Sequence, residues 1–426
     1  MKKIYNEHFD ETYYIETLDN GLEITIYHKP NFTVNAFAFG TDFGALKLKQ
    51  KVDGKEITYH SGLAHFLEHK LFENEKKDVM LEFNSLGANV NAYTSYDSTV
   101  YYFTTVSNEV EVPLNLLLDF VQDLNITKES VEKEKGIIEQ ELKMYSEMSS
   151  VRLMIESYKA MYYSHPLIND IGGSISDVYE ITKEELELAY NYNYHPSSMK
   201  LVIASSIDPE ILFDIIKRNQ SKKQFGIRHK IENVIIETKN EVNKEYVNEH
   251  LDVVQPKVAY AIKLKGPDGY DRESAKKEWG LQIILEIHFS SLNSNYQKWL
   301  DKNIISDSFG FEVDSGVGYL HIIFNNDTND EMNFKKFIEE EIDNLKTNKI
   351  QQDLLSEIQK RFYGLAFGSF NETENIVLNQ IKYLLNSLSY LEVIDIIEEI
   401  DIDYINDLIE HLNYDNSSVI KISKNK

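Results

Sequence analysis

The run His65-Phe66-Leu67-Glu68-His69 contains side chains that could bind a metal ion and move a proton. Positions four apart lie on the same face of an α-helix, so both imidazoles can reach one metal ion while Glu68 lies beside them. Histidines spaced in this way bind Zn²⁺, and the neighbouring carboxylate can take a proton from a water that the metal activates. The spacing therefore indicates a metallopeptidase. The alternative is a solvated polar helix face, because such a run also arises by chance.

A second segment, from Val131 to Tyr145, contains two glutamates at unusual positions. On a helical wheel, Glu134 and Glu141 lie within an arc of apolar residues formed by Val131, Ile137, Ile138, Leu142, Met144 and Tyr145. Loss of hydration costs a buried carboxylate on the order of several kcal/mol unless a cation or a metal ion replaces the water. A zinc ion held by two histidines needs a third protein ligand, which a glutamate from another helix would supply. The alternative is a pair of structural salt bridges.

Together, the two motifs resemble the inverted zinc-binding signature of the pitrilysin/insulinase family of metallopeptidases. The resemblance implies that His65, His69 and Glu141 bind Zn²⁺. It also implies that Glu68 is the general base and that Glu134 is an acidic neighbour important for activity. Residue by residue, both segments are most similar to the short bacterial YmfH-like branch of the family. The resemblance is specific over residues 15 to 210 and weak beyond them.

The resemblance also predicts a substrate-binding strand at Asn91, Ala92 and Tyr93. The segment from Val90 to Val106 is rich in Tyr, Thr and Val and contains a turn-prone Asp-Ser pair, which is typical of a β-hairpin. In the family, the matching strand lies beside the zinc and pairs with an extended peptide through main-chain hydrogen bonds. Without the resemblance, an ordinary internal strand would be the simpler interpretation.

Composition and charge narrow the classes of protein. The chain has 426 residues, of which 42% are hydrophobic and 27% charged, enough for two or more domains with substantial cores. It has no cysteine, so histidines and carboxylates must hold any metal. A net charge of −26 argues against a nucleic-acid partner, because phosphates would be repelled. The first ten residues lack the apolar core of a signal peptide, and we find no apolar run of membrane-spanning length, which predicts a cytoplasmic protein.

The distribution of predicted strands, helices and polar segments indicates two halves. We predict an N-terminal zinc-binding catalytic domain at residues 1–220, a linker at 221–245 and a C-terminal insulinase-like domain at 246–426. The pattern alone supports an α+β protein with two domains. The family resemblance implies that the domains are homologous, that each is an antiparallel sheet packed with helices, and that together they form half of a clamshell.

The second half lacks one feature of the family. Active single-chain relatives, and the helper subunits of paired ones, carry an Arg followed seven residues later by a Tyr, which contact substrate and the developing oxyanion. The chain has five arginines, Arg152, Arg218, Arg228, Arg272 and Arg361, and the residues seven positions later are Lys159, Phe225, Ile235, Trp279 and Gly368. We therefore expect the catalytic subunit of a heterodimeric zinc endopeptidase, which hydrolyses peptides or leader peptides in a closed chamber. Its homologous partner would carry the Arg/Tyr pair.

Other functions stay open at this point. The chain could be a non-catalytic scaffold or a peptide-binding subunit of the same fold, although every residue of the zinc motif is intact. It could also be a stand-alone oligopeptidase, active as a monomer or a homodimer. In that case Lys302, in the region from Trp299 to Phe309 that corresponds to the missing pair, or a tyrosine elsewhere would replace the pair.

Overall fold

The structure, a computed structural model, describes residues 1–74 and 77–425 of the chain. Its strands are β1 (Lys2–Asn6), β2 (Glu11–Thr17), β3 (Glu23–His28), β4 (Asn35–Thr41), β5 (Lys49–Val52), β6 (Lys55–Thr58), β7 (Glu73–Asn74), β8 (Lys77–Asp78), β9 (Ala88–Thr94), β10 (Thr99–Thr105), β11 (Met199–Ser205), β12 (Ile231–Asn233), β13 (Tyr246–Leu251), β14 (Lys257–Leu264), β15 (Gly310–Gly316), β16 (Tyr319–Asp327) and β17 (Ser417–Lys424). Its α-helices are α1 (Leu63–Phe72), α2 (Val79–Ser85), α3 (Glu111–Val121), α4 (Lys128–Glu147), α5 (Ser149–Met161), α6 (Ile175–Glu180), α7 (Lys183–Asn193), α8 (Pro209–Gln220), α9 (Arg272–Phe289), α10 (Tyr296–Asp301), α11 (Glu331–Thr347), α12 (Gln352–Ser369), α13 (Thr373–Leu384), α14 (Tyr390–Glu398) and α15 (Ile402–His411).

Contacts divide the chain into two compact units, each made of three separate stretches. Unit 1 comprises Met1–Leu142, Asn169–Val234 and Ala366–Tyr390, and unit 2 comprises Lys143–Ile168, Ile235–Leu365 and Leu391–Lys426. The sequence-based boundaries treat each half as continuous, whereas α5 belongs to unit 2 and α13 to unit 1. Hydrophobic periodicity shows which face of a helix is apolar, but it does not show which sheet that face covers.

Unit 1 is built on a seven-stranded sheet with the strand order β1-β2-β3-β11-β4-β10-β9. Neighbouring strands are antiparallel except β3 and β11, which are parallel. All seven residues of the inner strand β4 are buried, as expected for a strand covered on both faces. The predicted hairpin is present as β9 and β10, with β9 at the edge of the sheet. Helix α1 packs against both strands, which brings the His-x-x-Glu-His motif next to the edge.

Unit 2 repeats this arrangement on a five-stranded sheet with the order β13-β17-β14-β16-β15. Its single parallel pair, β13 and β17, occupies the same place as β3 and β11 in unit 1. Helix α5 packs on β14 and β17, and helix α9 packs on β15. The predicted α+β fold with two similar domains is confirmed, while the clamshell arrangement stays a prediction. Within the described residues, no helix is long and apolar enough to span a membrane.

Candidate metal centre

The two histidines lie on the polar face of helix α1, because its opposite face is buried in the core. Its buried residues are Leu63, Ala64, Phe66, Leu67, Lys70 and Leu71. The helix begins directly after Gly62, whose φ of 85° is a left-handed conformation that favours glycine. A Cβ at Gly62 would lie 2.2 Å from the carbonyl oxygen of Gly172. A close backbone contact between these two glycines therefore sets the start of the helix.

His65, His69 and Glu141 come together at one point. One possible ligand atom from each residue lies within 4.8 Å of the other two. Oε2 of Glu141 is 3.7 Å from Nε2 of His65 and 3.4 Å from Nε2 of His69. Two imidazoles and one carboxylate, with a further position left open, form the ligand set of a catalytic zinc site. Among the described residues, this is the one cluster with the geometry to hold a metal ion.

Glu134 lies beside this cluster and contacts the outer nitrogen of a histidine. Oε1 of Glu134 is 3.0 Å from Nδ1 of His69, and its Oε2 is 3.7 Å from Nζ of Lys70. A carboxylate on Nδ1 fixes the ring so that Nε2 faces the metal position. Lys70 is fully buried and donates a hydrogen bond to the carbonyl oxygen of Ser130 at 3.2 Å. Lys70 is not among the residues predicted from the sequence, although the helical wheel places this cation on the apolar side of α1.

The apolar arc predicted for α4 is only partly buried in the structure. Val131, Ile138 and Leu142 are buried, but Ile137, Met144 and Tyr145 are exposed. On the wheel, Glu134 and Glu141 fall between the buried residues and Ile137 and Met144. The two carboxylates therefore lie at the margin of the buried face and not in its middle. A wheel shows which residues are apolar, but it does not show where a neighbouring element stops covering them.

The two histidines of the cluster have opposite proton affinities. Burial, and next the charge of His69, lower the pKa of His65 to about 4. Burial also disfavours the charged form of His69, but its hydrogen bonds with Glu134 and Glu141 outweigh burial and raise its pKa to about 9. In the metal-free protein at neutral pH, His65 is therefore neutral and His69 is protonated. His69 would have to lose this proton in order to bind a metal ion through Nε2.

Glu68 faces the end of strand β9. Its Oε2 accepts a hydrogen bond of 2.6 Å from Oγ1 of Thr94. Burial raises the pKa of Glu68, and the hydrogen bond from Thr94 partly offsets this rise. A raised carboxyl pKa suits a general base, because such a base works best when its pKa is near the working pH.

The predicted substrate-binding residues lie on β9. Asn91 is exposed, Ala92 and Tyr93 are partly buried, and all three pair with β10 on one side of the strand. Within the described residues β9 pairs with β10 alone, so its other edge keeps backbone groups that could accept a further strand. The structure places these residues on the strand that contacts α1, and their role in binding stays a prediction.

Comparisons with known proteins cover both units. The model of the insulinase family (peptidase family M16) matches residues 54–174, and the model of the M16 inactive domain matches residues 180–362. The first range contains every residue predicted to bind metal or substrate or to act in catalysis. The match to the inactive-domain model covers much of the second half, where no metal-binding cluster was found among the described residues.

Individual relatives resemble all or part of the chain. A Bacillus subtilis protein named uncharacterized zinc protease YmfH is 31% identical over 426 residues, which cover 99% of both chains. Subunit beta of the mitochondrial-processing peptidase of Neurospora crassa is 27% identical over 210 residues, 48% of this chain and 42% of the relative. The crystal structure of an M16-like peptidase from Alicyclobacillus acidocaldarius, 29% identical, has a TM-score of 0.92 and matches 97% of this chain and 99% of its own.

Proposed function

Because the chain belongs to the insulinase family of peptidases, family M16, we propose that it is a zinc-dependent endopeptidase that hydrolyses peptides or leader peptides. The observation that carries this proposal is the convergence of His65, His69 and Glu141. The similarity to a zinc protease over the full chain supports the choice of metal. The predicted cytoplasmic location is part of the same proposal.

The roles of the protein groups follow from their positions. A zinc ion held by His65, His69 and Glu141 would supply a Lewis acid that makes a water more acidic and polarises the scissile carbonyl. Glu68 accepts the proton of the attacking water and then delivers it to the leaving amine. Glu134 holds the ring of His69 through Nδ1.

Substrate binding is assigned to the free edge of β9. An extended peptide that pairs with Asn91, Ala92 and Tyr93 would form main-chain hydrogen bonds, which give affinity with little selectivity for side chains. The peptide would lie beside α1, because α1 packs against β9. Binding through the backbone fits a peptidase that accepts many sequences.

A defined peptide library, with mass spectrometry of the products, tests the proposed activity. We expect purified protein with about one zinc per chain to cleave peptides internally. The Glu68→Gln variant should keep its zinc and lose about 10²–10⁴-fold in rate, because an amide cannot accept the proton. Glu129→Gln, at an exposed position of α4, is the matched control and should behave as wild type. Full activity of zinc-loaded Glu68→Gln would exclude Glu68 as the base. Zinc-loaded wild type that hydrolyses no peptide, either alone or with a homologous partner subunit, would favour a scaffold or peptide-binding subunit.

We further propose that the active enzyme is a heterodimer. The described part of unit 2 contains no Arg with a Tyr seven residues later, and the region from Trp299 to Phe309 contains no arginine. In this region Trp299 and Ile305 are buried, and Lys302 is the exposed cation. The similarity to a protein named as one subunit of a processing peptidase adds support. A homologous partner with the Arg/Tyr pair and without the zinc motif would complete the enzyme.

Kinetics with and without a homologous partner distinguish these assemblies. The heterodimer predicts a large gain in kcat/KM and a mixed complex in light scattering when the two proteins are combined. If the isolated chain is equally fast and no mixed complex forms, it works alone or as a homodimer. In that case Lys302→Ala tests whether this exposed lysine replaces the missing arginine.

A further inference from the structure

The proposed base is held by a residue outside its own helix. Glu68 lies on α1, while Thr94 is the last residue of the edge strand β9. The 2.6 Å hydrogen bond between Oγ1 of Thr94 and Oε2 of Glu68 joins these two elements. The side chain of Thr94 therefore engages one of the two oxygens of the Glu68 carboxylate.

The direction of this hydrogen bond is fixed by its neighbours. Thr94 pairs with Thr99 across the hairpin, and their Oγ1 atoms are 3.5 Å apart. Thr99 is fully buried and donates its only hydroxyl proton to the carbonyl oxygen of Phe43 at 2.8 Å. The proton of the Thr94 hydroxyl is then directed to Glu68, because an ionised carboxylate can only accept.

The backbone around Thr94 is also well anchored. The adjacent Ser95 donates its backbone N–H to the carbonyl oxygen of Ser98 at 2.8 Å, which closes the turn between β9 and β10. Gly44 packs against this turn so closely that a Cβ would lie 2.4 Å from the backbone nitrogen of Ser98. Thr94 is β-branched, so its χ1 angle is restricted and its hydroxyl keeps one direction.

We propose that Thr94 is a positioning residue for the general base and ties Glu68 to the strand that binds substrate. The inference rests on the proposed function, and no sequence pattern pointed to it. Thr94 holds Oε2 so that Oε1 is the oxygen that takes and returns the proton. Thr94 directly follows Asn91, Ala92 and Tyr93. Strand β9 therefore positions both a peptide bound along it and the carboxylate of Glu68.

Three substitutions test the role of the hydroxyl. Thr94→Val removes it and keeps the β-branched shape, whereas Thr94→Ser keeps it. Thr104→Val is the matched control, because Thr104 lies at the opposite end of the hairpin, paired with Asn89. We expect Thr94→Val to lower kcat about tenfold, equivalent to about 1.4 kcal/mol, because a hydrogen bond to a charged group is lost. KM and zinc content should change by less than about twofold, since neither backbone pairing nor the ligands are altered.

The conservative variant and the control decide between positioning and general structural damage. Thr94→Ser should recover kcat to within about threefold of wild type, and Thr104→Val should match wild type. A Thr94→Val protein with wild-type kcat, or a Thr94→Ser protein as slow as Thr94→Val, contradicts the inference.

A second measurement does not depend on activity. In the metal-free protein, a double-mutant cycle of Thr94→Val and Glu68→Ala on urea unfolding measures whether the two side chains interact. We expect the effect of the double substitution to be smaller than the sum of the single effects. Strict additivity would overturn the role of Thr94. By contrast, if the cycle shows this coupling but the zinc-loaded wild type cleaves no peptide, either alone or with a homologous partner subunit, the proposed function itself is contradicted.

Discussion

Units 1 and 2 have the same strand order around their parallel pair, but among the described residues the candidate metal ligands come together in unit 1. In unit 1, α1 packs at the sheet edge with His65 and His69 directed at Glu141. In unit 2, α9 packs on the edge strand β15, and its one histidine, His288, makes a 2.8 Å contact with Glu341 of α11. A similar strand order is thus present in both units, with the candidate metal site in one of them among the described residues.

The two units differ in the side chains of the second helix after each edge hairpin, which is α4 in unit 1 and α12 in unit 2. Counted from the first residue of each helix, Glu134 and Glu141 are the seventh and fourteenth residues of α4, and Ile358 and Leu365 hold these places in α12. At these positions, counted from the helix start, α12 has apolar side chains and α4 has carboxylates. The two units therefore differ in the side chains on these helices, while the strand order around the parallel pair is the same.

The strongest test of this comparison removes one ligand from unit 1. We expect His69→Ala and Glu141→Ala to lose stoichiometric zinc and to slow hydrolysis by at least about 10³-fold, because only three protein groups hold the metal. Metal analysis and peptide cleavage measure the two effects. If both variants kept one zinc per chain, the metal would have to be bound elsewhere.

Removal of the metal from wild type provides the matching structural control. Chelation should abolish hydrolysis, because the proposed mechanism needs the metal. Far-UV circular dichroism should stay nearly unchanged, because the core of unit 1 is large and apolar. Global unfolding on chelation would show that the metal is structural and that the two units differ in how they are stabilised.

A smaller effect on zinc affinity and activity is expected from substitution of Glu134, which contacts the candidate ligand His69. Glu134→Gln weakens the hydrogen bond to Nδ1 of His69 and removes one of the two carboxylates that lie beside Lys70, the other being that of Glu73. We expect zinc affinity or activity to fall about 10–100-fold, as for other groups that orient a metal ligand. Competition with a chelator measures the affinity, with Glu129→Gln as the control on the same helix. Wild-type affinity and activity in Glu134→Gln would restrict this residue to packing.

The sequence was informative where the relevant geometry is local to one helix. The spacing of His65, Glu68 and His69 places them on one face, and the pair Glu134 and Glu141 stood out because both are carboxylates among apolar residues. The structure brings these two sets together. The family resemblance was needed to connect them, because the distance between two helices cannot be read from the periodicity of either.

Other features depended on tertiary structure and could not be predicted in this way. The assignment of α5 to unit 2 and α13 to unit 1 depends on which sheet each apolar face covers. The contact of Thr94 with Glu68 depends on how a strand end meets a helix. Neither fact leaves a repeating pattern in the sequence.

A further prediction concerns a buried histidine that has no role in metal binding. His321 lies in β16 of unit 2, and its Nδ1 is 3.0 Å from the hydroxyl of Tyr162. Burial, and next the charge of His165, lower the pKa of His321 to about 3, from an ordinary value of 6.5. Below pH 6.5 the unfolded chain binds a proton that the folded chain does not, so stability is lost as the pH falls.

Urea unfolding at several pH values measures this effect. Between pH 6.5 and pH 5 this one group should cost about 2 kcal/mol of unfolding free energy. His321→Phe removes the titrating group and should give a shallower pH dependence. Its stability at pH 7 should be lower, because the hydroxyl of Tyr162 loses its hydrogen-bond partner. An unchanged pH dependence in His321→Phe would assign the acid sensitivity to other groups.

The smallest effect is expected at the histidine of unit 2 that lies on the helix packed at the sheet edge. His288 and Glu341 are 15% and 17% exposed, so their contact is partly screened, and His288→Ala should cost about 1 kcal/mol of stability. Zinc content and kcat should stay within about twofold of wild type, because no third ligand accompanies this pair among the described residues. A fall in metal content would break the comparison between the units, since it would show that unit 2 also contributes to metal binding. Unchanged metal content, beside its loss in His69→Ala, would confine the metal site to unit 1.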